Sequence, residues 1–178
     1  QQVRASAGRL VFLGASPLTP TAVVSCDPAG GACTEFRAAS TLAIDAGYLS
    51  APRPVTFPTE GGQTAHAFYY PPRNRDAAPP AGELPPLIVT CHGGPTSSAS
   101  AALSLNLQYW TSRGFALLDV DYGGSSGYGR PYRERLNGGW GIVDVDDCVA
   151  AARYLVEQGL ADPARLAITG GSAGGYTT

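Results

Sequence analysis

Leu166-Ala167-Ile168-Thr169 is a short apolar run of strand type, and it passes directly into Gly170-Gly171-Ser172-Ala173-Gly174-Gly175. A strand that breaks into Gly-x-Ser-x-Gly leaves the chain few folds to choose from. The serine must stand at the tip of a strained strand-to-helix turn, where side chains at the flanking positions would collide with neighbouring backbone. The pattern predicts a nucleophile elbow, with Ser172 as the attacking hydroxyl and the Ala173 N–H turned to the developing oxyanion.

The pattern occurs twice. Gly123-Gly124-Ser125-Ser126-Gly127 also matches and also follows a strand-like run, Phe115 to Asp121. With 23 glycines in 178 residues, one chance match is unsurprising. Context separates the two. Ser125 leads into Gly127-Tyr128-Gly129-Arg130-Pro131, which cannot begin a helix at once, because Gly and Pro both oppose it. Ser172 is preceded by a helical stretch, Gly159, an Asp162-Pro163 turn and a strand. The sequence therefore assigns Ser172 as nucleophile and leaves Ser125 as a polar loop residue at the carboxyl end of a strand.

A second motif lies upstream, where the apolar run Leu87 to Cys91 is followed by His92-Gly93-Gly94-Pro95. In α/β serine hydrolases a His-Gly-Gly turn after the third strand presents a backbone N–H to the oxyanion. Gly93 and Gly94 are both candidates for that donor, and the sequence does not decide between them.

Composition narrows the remaining classes. A hydrophobic fraction of 44% suits a globular fold rather than a disordered chain. A net charge of −2 without a basic cluster argues against nucleic acid as a partner. No apolar run approaches the roughly 20 residues that cross a bilayer, so no membrane role is expected. The first residues carry no apolar signal-peptide core, which points to the cytoplasm. There is no methionine, at position 1 or elsewhere, so the chain reads as an internal piece of a longer protein. Cys91 and Cys148 read as buried free thiols, while Cys26 and Cys33 flank a turn and are either bridged or free. No metal-ligand spacing appears, and neither a metal nor a cofactor is implied. Nothing in the sequence sets an oligomeric state.

Residues 1–50 read as short strands of an all-β meander, the size of one propeller blade. A hairpin over Val55–Thr59 and Thr64–Tyr70 follows, with His66 as a structural strand residue. A loop with six prolines covers residues 71–86. From there strands and helices alternate, implying a mostly parallel sheet with helices on both faces. Leu103, Leu107 and Trp110 mark one helix face. Val145, Cys148, Val149, Ala152, Leu155 and Val156 mark another, which Asp144 can cap, Asp146 and Asp147 favour through the helix dipole, and Gly159 stops.

His92-Gly93-Gly94-Pro95, Asp121-Tyr122-Gly123-Gly124-Ser125-Ser126-Gly127-Tyr128-Gly129 and Asp162 to Ile168 leading into Gly-Gly-Ser-Ala-Gly-Gly-Tyr176 resemble the prolyl oligopeptidase family, nearest its acylaminoacyl-peptidase and dipeptidyl-aminopeptidase-like branch. The resemblance implies an α/β-hydrolase domain over residues 51–178, preceded at 1–50 by the last strands of a β-propeller. It further implies a serine peptidase that cleaves short peptides or aminoacyl amides through an acyl-enzyme. The alternatives are a carboxylesterase, which the upstream blade disfavours, and a catalytically inactive binding protein of the same fold. The family's triad runs Ser, Asp, His in chain order, so both partners of Ser172 are expected beyond Thr178 and the 178 residues alone are expected to be inactive. By that order His92 orients the oxyanion turn rather than acting as base. One departure stands out: many members carry Tyr-Arg-Gly-Ser where this chain has Tyr122-Gly123-Gly124-Ser125, so the arginine's contribution is absent or supplied from elsewhere.

Overall fold

The computed structural model describes residues 2–178. Its first part is a four-stranded antiparallel meander in sequence order, β1 (Arg4–Ser6), β2 (Arg9–Gly14), β3 (Ala22–Cys26) and β4 (Cys33–Ala38). Cys26 and Cys33 are directly opposite in the β3–β4 register and are disulfide-bonded. The open question about that pair is thereby answered by strand pairing, which brings the two side chains face to face across the turn.

The second part is a five-stranded sheet of order β5-β6-β8-β7-β9. The hairpin β5 (Arg53–Thr59) and β6 (Gln63–Tyr70) is antiparallel, and β6 continues antiparallel onto β8 (Ala116–Asp121). β7 (Leu87–Cys91) then runs parallel to β8 on one side and to β9 (Leu166–Gly170) on the other. Helices cover both faces, as the alternation of patterns requires. α3 (Val143–Glu157) packs Cys148, Ala151 and Leu155 onto Ala65, Ala67, Leu87, Val89, Leu118 and Val120. On the opposite face Leu107 of α1 (Leu105–Thr111), with Phe68 and Phe115, covers Tyr70, Ile88 and Leu117. This is the α/β-hydrolase arrangement. The chain passes from β7 to β8 on one side and then crosses back over β7 to β9 on the other, and such a reversal leaves a crevice at the strands' carboxyl ends, where α/β proteins bind ligands.

The helices differ from expectation in detail. The buried stripe of α3 is Asp144, Asp147, Cys148, Ala151 and Leu155, one step round from the apolar stripe, and Val149 is exposed. No side chain caps α3. Asp144 instead accepts from the Gly141 N–H at 2.6 Å and the Thr177 hydroxyl at 2.6 Å. Asp147 accepts from the Thr59 hydroxyl at 2.5 Å and the Gly123 N–H at 2.6 Å, with the Arg135 guanidinium 3.4 Å away. Asp144 and Asp147 are thus buried anchors, and Asp144 and Asp146 stand in the first turn of α3 as the dipole reading expects. In α1 the buried residues are Gln108 and Thr111, whereas Trp110 is exposed. Gln108 accepts from the Ser50 N–H at 2.7 Å and donates to the Ser50 carbonyl at 2.9 Å, stitching the chain between the two sheets to α1. The short helix α2 (Arg130–Glu134) begins five residues after Ser125, with a proline in its first turn. Cys91 and Cys148 are free and buried, their sulfurs 3.3 Å apart.

Candidate active site

β9 ends at Gly170 and helix α4 (Ala173–Thr177) starts three residues later, with Ser172 between them at φ +56°, ψ −120°. A non-glycine residue in that region is strained. The steric reason for the motif is explicit in the packing. A Cβ on Gly170 would lie 2.3 Å from the Gly174 carbonyl oxygen, and one on Gly174 would lie 2.1 Å from the Cys91 carbonyl oxygen. Only glycine lets α4 close onto β9 and onto the end of β7. Gly171, the variable position, has nothing within 4 Å of an added Cβ.

The turn after β7 meets the elbow. A Cβ on Gly93 would stand 3.4 Å from the Ser172 Cβ and 3.1 Å from the Gly171 carbonyl. Gly94 adopts φ +123°, and a Cβ added there would lie 2.7 Å from the Ser97 nitrogen. The N–H groups of Ala173, Gly93 and Gly94 donate to no backbone carbonyl among the described residues. Gly93 therefore lies beside the exposed Ser172 and Ala173, with Gly94 next in the chain, which leaves unpaired N–H groups on the loop that meets the hydroxyl. Ser172, Ala173, Gly93 and Gly94, all singled out from sequence, come together here.

The competing motif is built differently. Ser125 is fully buried, and its hydroxyl is 2.7 Å from both the Tyr122 carbonyl and His92 Nε2. His92 Nδ1 lies 2.8 Å from the Gly93 carbonyl oxygen, so both ring nitrogens are engaged away from Ser172. Its ring stacks on Tyr122 at 4.4 Å. Asp121 lies 3.8 Å from His92 Nε2 and accepts from the Ala99 N–H at 2.6 Å and the Tyr128 hydroxyl at 2.8 Å. Burial pushes the Asp121 carboxyl above its ordinary range, against the pull of those hydrogen bonds. His66 stacks on Tyr128 at 4.2 Å, with Nδ1 3.0 Å from the Thr56 hydroxyl. At Gly123 the space a side chain would take is filled by Val143, whose Cγ1 would be 2.7 Å from an added Cβ, and by Arg135, whose Nε would be 2.9 Å from it. No group of His, Cys, Asp and Glu side chains among the described residues could hold a metal ion. The Ser125–His92 contact escaped sequence reasoning, since residues 33 apart and in different loops give no periodic signal.

The comparisons with known proteins fit this geometry. The model of the prolyl oligopeptidase family matches residues 101–178. The acylamino-acid-releasing enzyme of Arabidopsis thaliana is 41% identical over 97 residues, 54% of this chain and 13% of that protein. The dipeptidyl aminopeptidase BIII of Pseudoxanthomonas mexicana is 34% identical over 127 residues, 70% of this chain and 18% of that protein. A solved Mycobacterium tuberculosis puromycin-hydrolyzing peptidase superposes with a TM-score of 0.97 at 49% identity, over 99% of this chain and 27% of that one. The chain thus spans about a quarter or less of each protein it matches. The matched stretch runs from just ahead of α1 through the elbow, and the chain belongs to the prolyl oligopeptidase family.

Proposed function

We propose that this chain carries the nucleophile and oxyanion elements of a serine peptidase that hydrolyses short peptides or aminoacyl amides. The observation that carries the reading is the exposed Ser172, held at positive φ beside Gly93 and Ala173, whose N–H groups, like that of Gly94, donate to no backbone carbonyl among the described residues. In this reading the Ser172 Oγ attacks the carbonyl carbon while its proton passes to a histidine. The carbonyl oxygen takes the negative charge into the three N–H groups. The tetrahedral adduct collapses to an ester on Ser172 as the amine leaves with the histidine's proton, and water then releases the acyl group by the reverse sequence. Both ring nitrogens of His92 are engaged away from Ser172, so in this reading His92 is not that histidine. Residues 1–50 serve as a propeller blade and 51–178 as part of the hydrolase domain, the arrangement of a peptidase that admits only small substrates. The cytoplasmic location expected from the sequence sits poorly with the Cys26–Cys33 disulfide, which a reducing cytosol disfavours. Among the described residues no helix is long and apolar enough to cross a membrane.

The test uses the enzyme expressed from its whole reading frame. A fluorophosphonate probe is expected to label Ser172, and Ser172→Ala to abolish both labelling and hydrolysis of aminoacyl anilides. Ser125→Ala is expected to leave the label on Ser172. A label on Ser125 would sink the assignment.

A further inference from the structure

The second Gly-x-Ser-x-Gly motif has no place in the chemistry just described, yet its serine is fully buried and hydrogen-bonded to a histidine beside the oxyanion turn. Resting on the reading of Ser172 as nucleophile, we propose that Ser125 and Tyr122 are positioning residues. They act through His92 to lock the Gly93–Gly94 peptide plane, so that the Gly94 N–H faces the oxyanion.

The argument starts from the carbonyl of Gly93. A carbonyl only accepts, so the His92 Nδ1 that lies 2.8 Å from it must carry a proton. Nε2 is then left to find its partner in the Ser125 hydroxyl at 2.7 Å. A hydroxyl both donates and accepts, so Ser125 can satisfy Nε2 whether or not that nitrogen is protonated. Its single hydroxyl proton goes to the Tyr122 carbonyl, 2.7 Å away, when Nε2–H donates to the oxygen, and to Nε2 when that nitrogen is bare; in either case the Ser125 N–H stays on the Tyr122 carbonyl at 2.9 Å. Tyr122 adds a second hold. Its ring stacks on the imidazole, and its hydroxyl lies 2.9 Å from the His92 carbonyl and 3.0 Å from that of Pro95, bracing the turn at both ends.

The consequence reaches the reacting atoms through one rigid unit. The Gly93 carbonyl and the Gly94 N–H belong to the same planar trans peptide and point in opposite directions. Fixing the carbonyl toward His92 therefore fixes the Gly94 N–H away from it. Two successive glycines have the freedom to rotate that plane, and without the lock the donor would spend part of its time misdirected. An oxyanion donor works because it is aimed before charge develops.

The experiment measures kcat, KM, melting temperature and affinity for a peptide aldehyde, whose tetrahedral adduct carries the oxyanion, in the enzyme expressed from its whole reading frame. Ser125→Ala is expected to lower kcat and aldehyde affinity together by about 10-fold, short of the ~10²–10³-fold that follows loss of a donor outright. KM and melting temperature should stay close to wild type. His92→Asn keeps an N–H near the Nδ1 position, whereas His92→Gln keeps one near Nε2. His92→Asn should retain at least about 10-fold more kcat, as the scale of the donor effect implies. Adding Ser125→Ala to His92→Asn should cost nothing further, because no Nε2 remains to be held. Unchanged kcat in Ser125→Ala, an equal loss in the His92→Asn background, or a fall in melting temperature with aldehyde affinity intact would each overturn the proposal. Activity persisting in Ser172→Ala would instead overturn the nucleophile reading beneath it.

Discussion

Replacing Gly174 with alanine tests whether the elbow's glycines are required by packing rather than by habit of the motif. The added Cβ would sit 2.1 Å from the Cys91 carbonyl oxygen, 2.8 Å from its carbon and 2.8 Å from the His92 carbonyl oxygen. All three atoms are backbone, so no side-chain rotation relieves the clash. Ordinary contact begins near 3.4 Å, and α4 must therefore retreat from the end of β7 by more than an ångström. That retreat carries the Ala173 N–H and Ser172 with it. A misplacement of about 1 Å at a reacting centre costs on the order of 10²-fold in rate. Overpacking should add roughly 1–3 kcal/mol of destabilisation. Gly171→Ala is the internal control: it stands one residue before the serine, its Cβ meets nothing within 4 Å, and its φ is not positive, so it should lose no more than a few-fold. The assay is kcat/KM on a chromogenic aminoacyl anilide, paired with a thermal melt. Equal losses in the two variants, or full activity in Gly174→Ala, would refute the steric reasoning.

Two further outcomes follow from buried groups. Asp147→Ala removes the acceptor of the Thr59 hydroxyl and the Gly123 N–H and leaves Arg135 without its counter-ion, a change that typically costs about 3–5 kcal/mol; chemical denaturation should show it, and a loss under ~1 kcal/mol would contradict it. Burial, with a smaller contribution from Arg135, holds the His66 pKa below its ordinary 6.5, while Asp121 pulls the other way. The unfolded chain therefore binds the proton first as pH falls, and stability is present above 6.5 and lost on acidification toward the lowered folded value. His66→Phe, which keeps the ring against Tyr128, should lose that component of the pH dependence between pH 7.5 and about 5, measured as the change in unfolding midpoint relative to wild type.

Strands of the central sheet were legible because their patterns are local. Leu87 to Cys91 and Ala116 to Asp121 are nearly continuous apolar runs, as strands buried on both faces must be. The elbow was legible because backbone sterics leave only glycine at two fixed offsets from the serine. The face of α3 was misjudged by one step because Asp144 and Asp147 look like solvent-facing charges until their partners are known. Thr177 lies 33 residues from Asp144, and Thr59 lies 88 from Asp147. Gln108 misled in the same way, its partner being the backbone of Ser50. Helix α2 was hidden by Pro131, which reads as a breaker but is compatible with a helix's first turn.

The parallel pairing of β9 with β7 also sets a clock for synthesis. β9 begins 75 residues after β7 ends, so a ribosome working at ~5–20 residues per second exposes β7 for roughly 4–15 s before its outer neighbour exists. β8 arrives sooner and can close the other side. During the interval the Leu87–Cys91 edge presents unpaired N–H and C=O groups on an apolar strand, the kind of surface that recruits chaperones or other nascent chains. The loop carrying Gly93 and Gly94 hangs from that same strand end. Its final seating therefore waits on the arrival of Gly174, and the oxyanion turn should be among the last parts of this chain to mature.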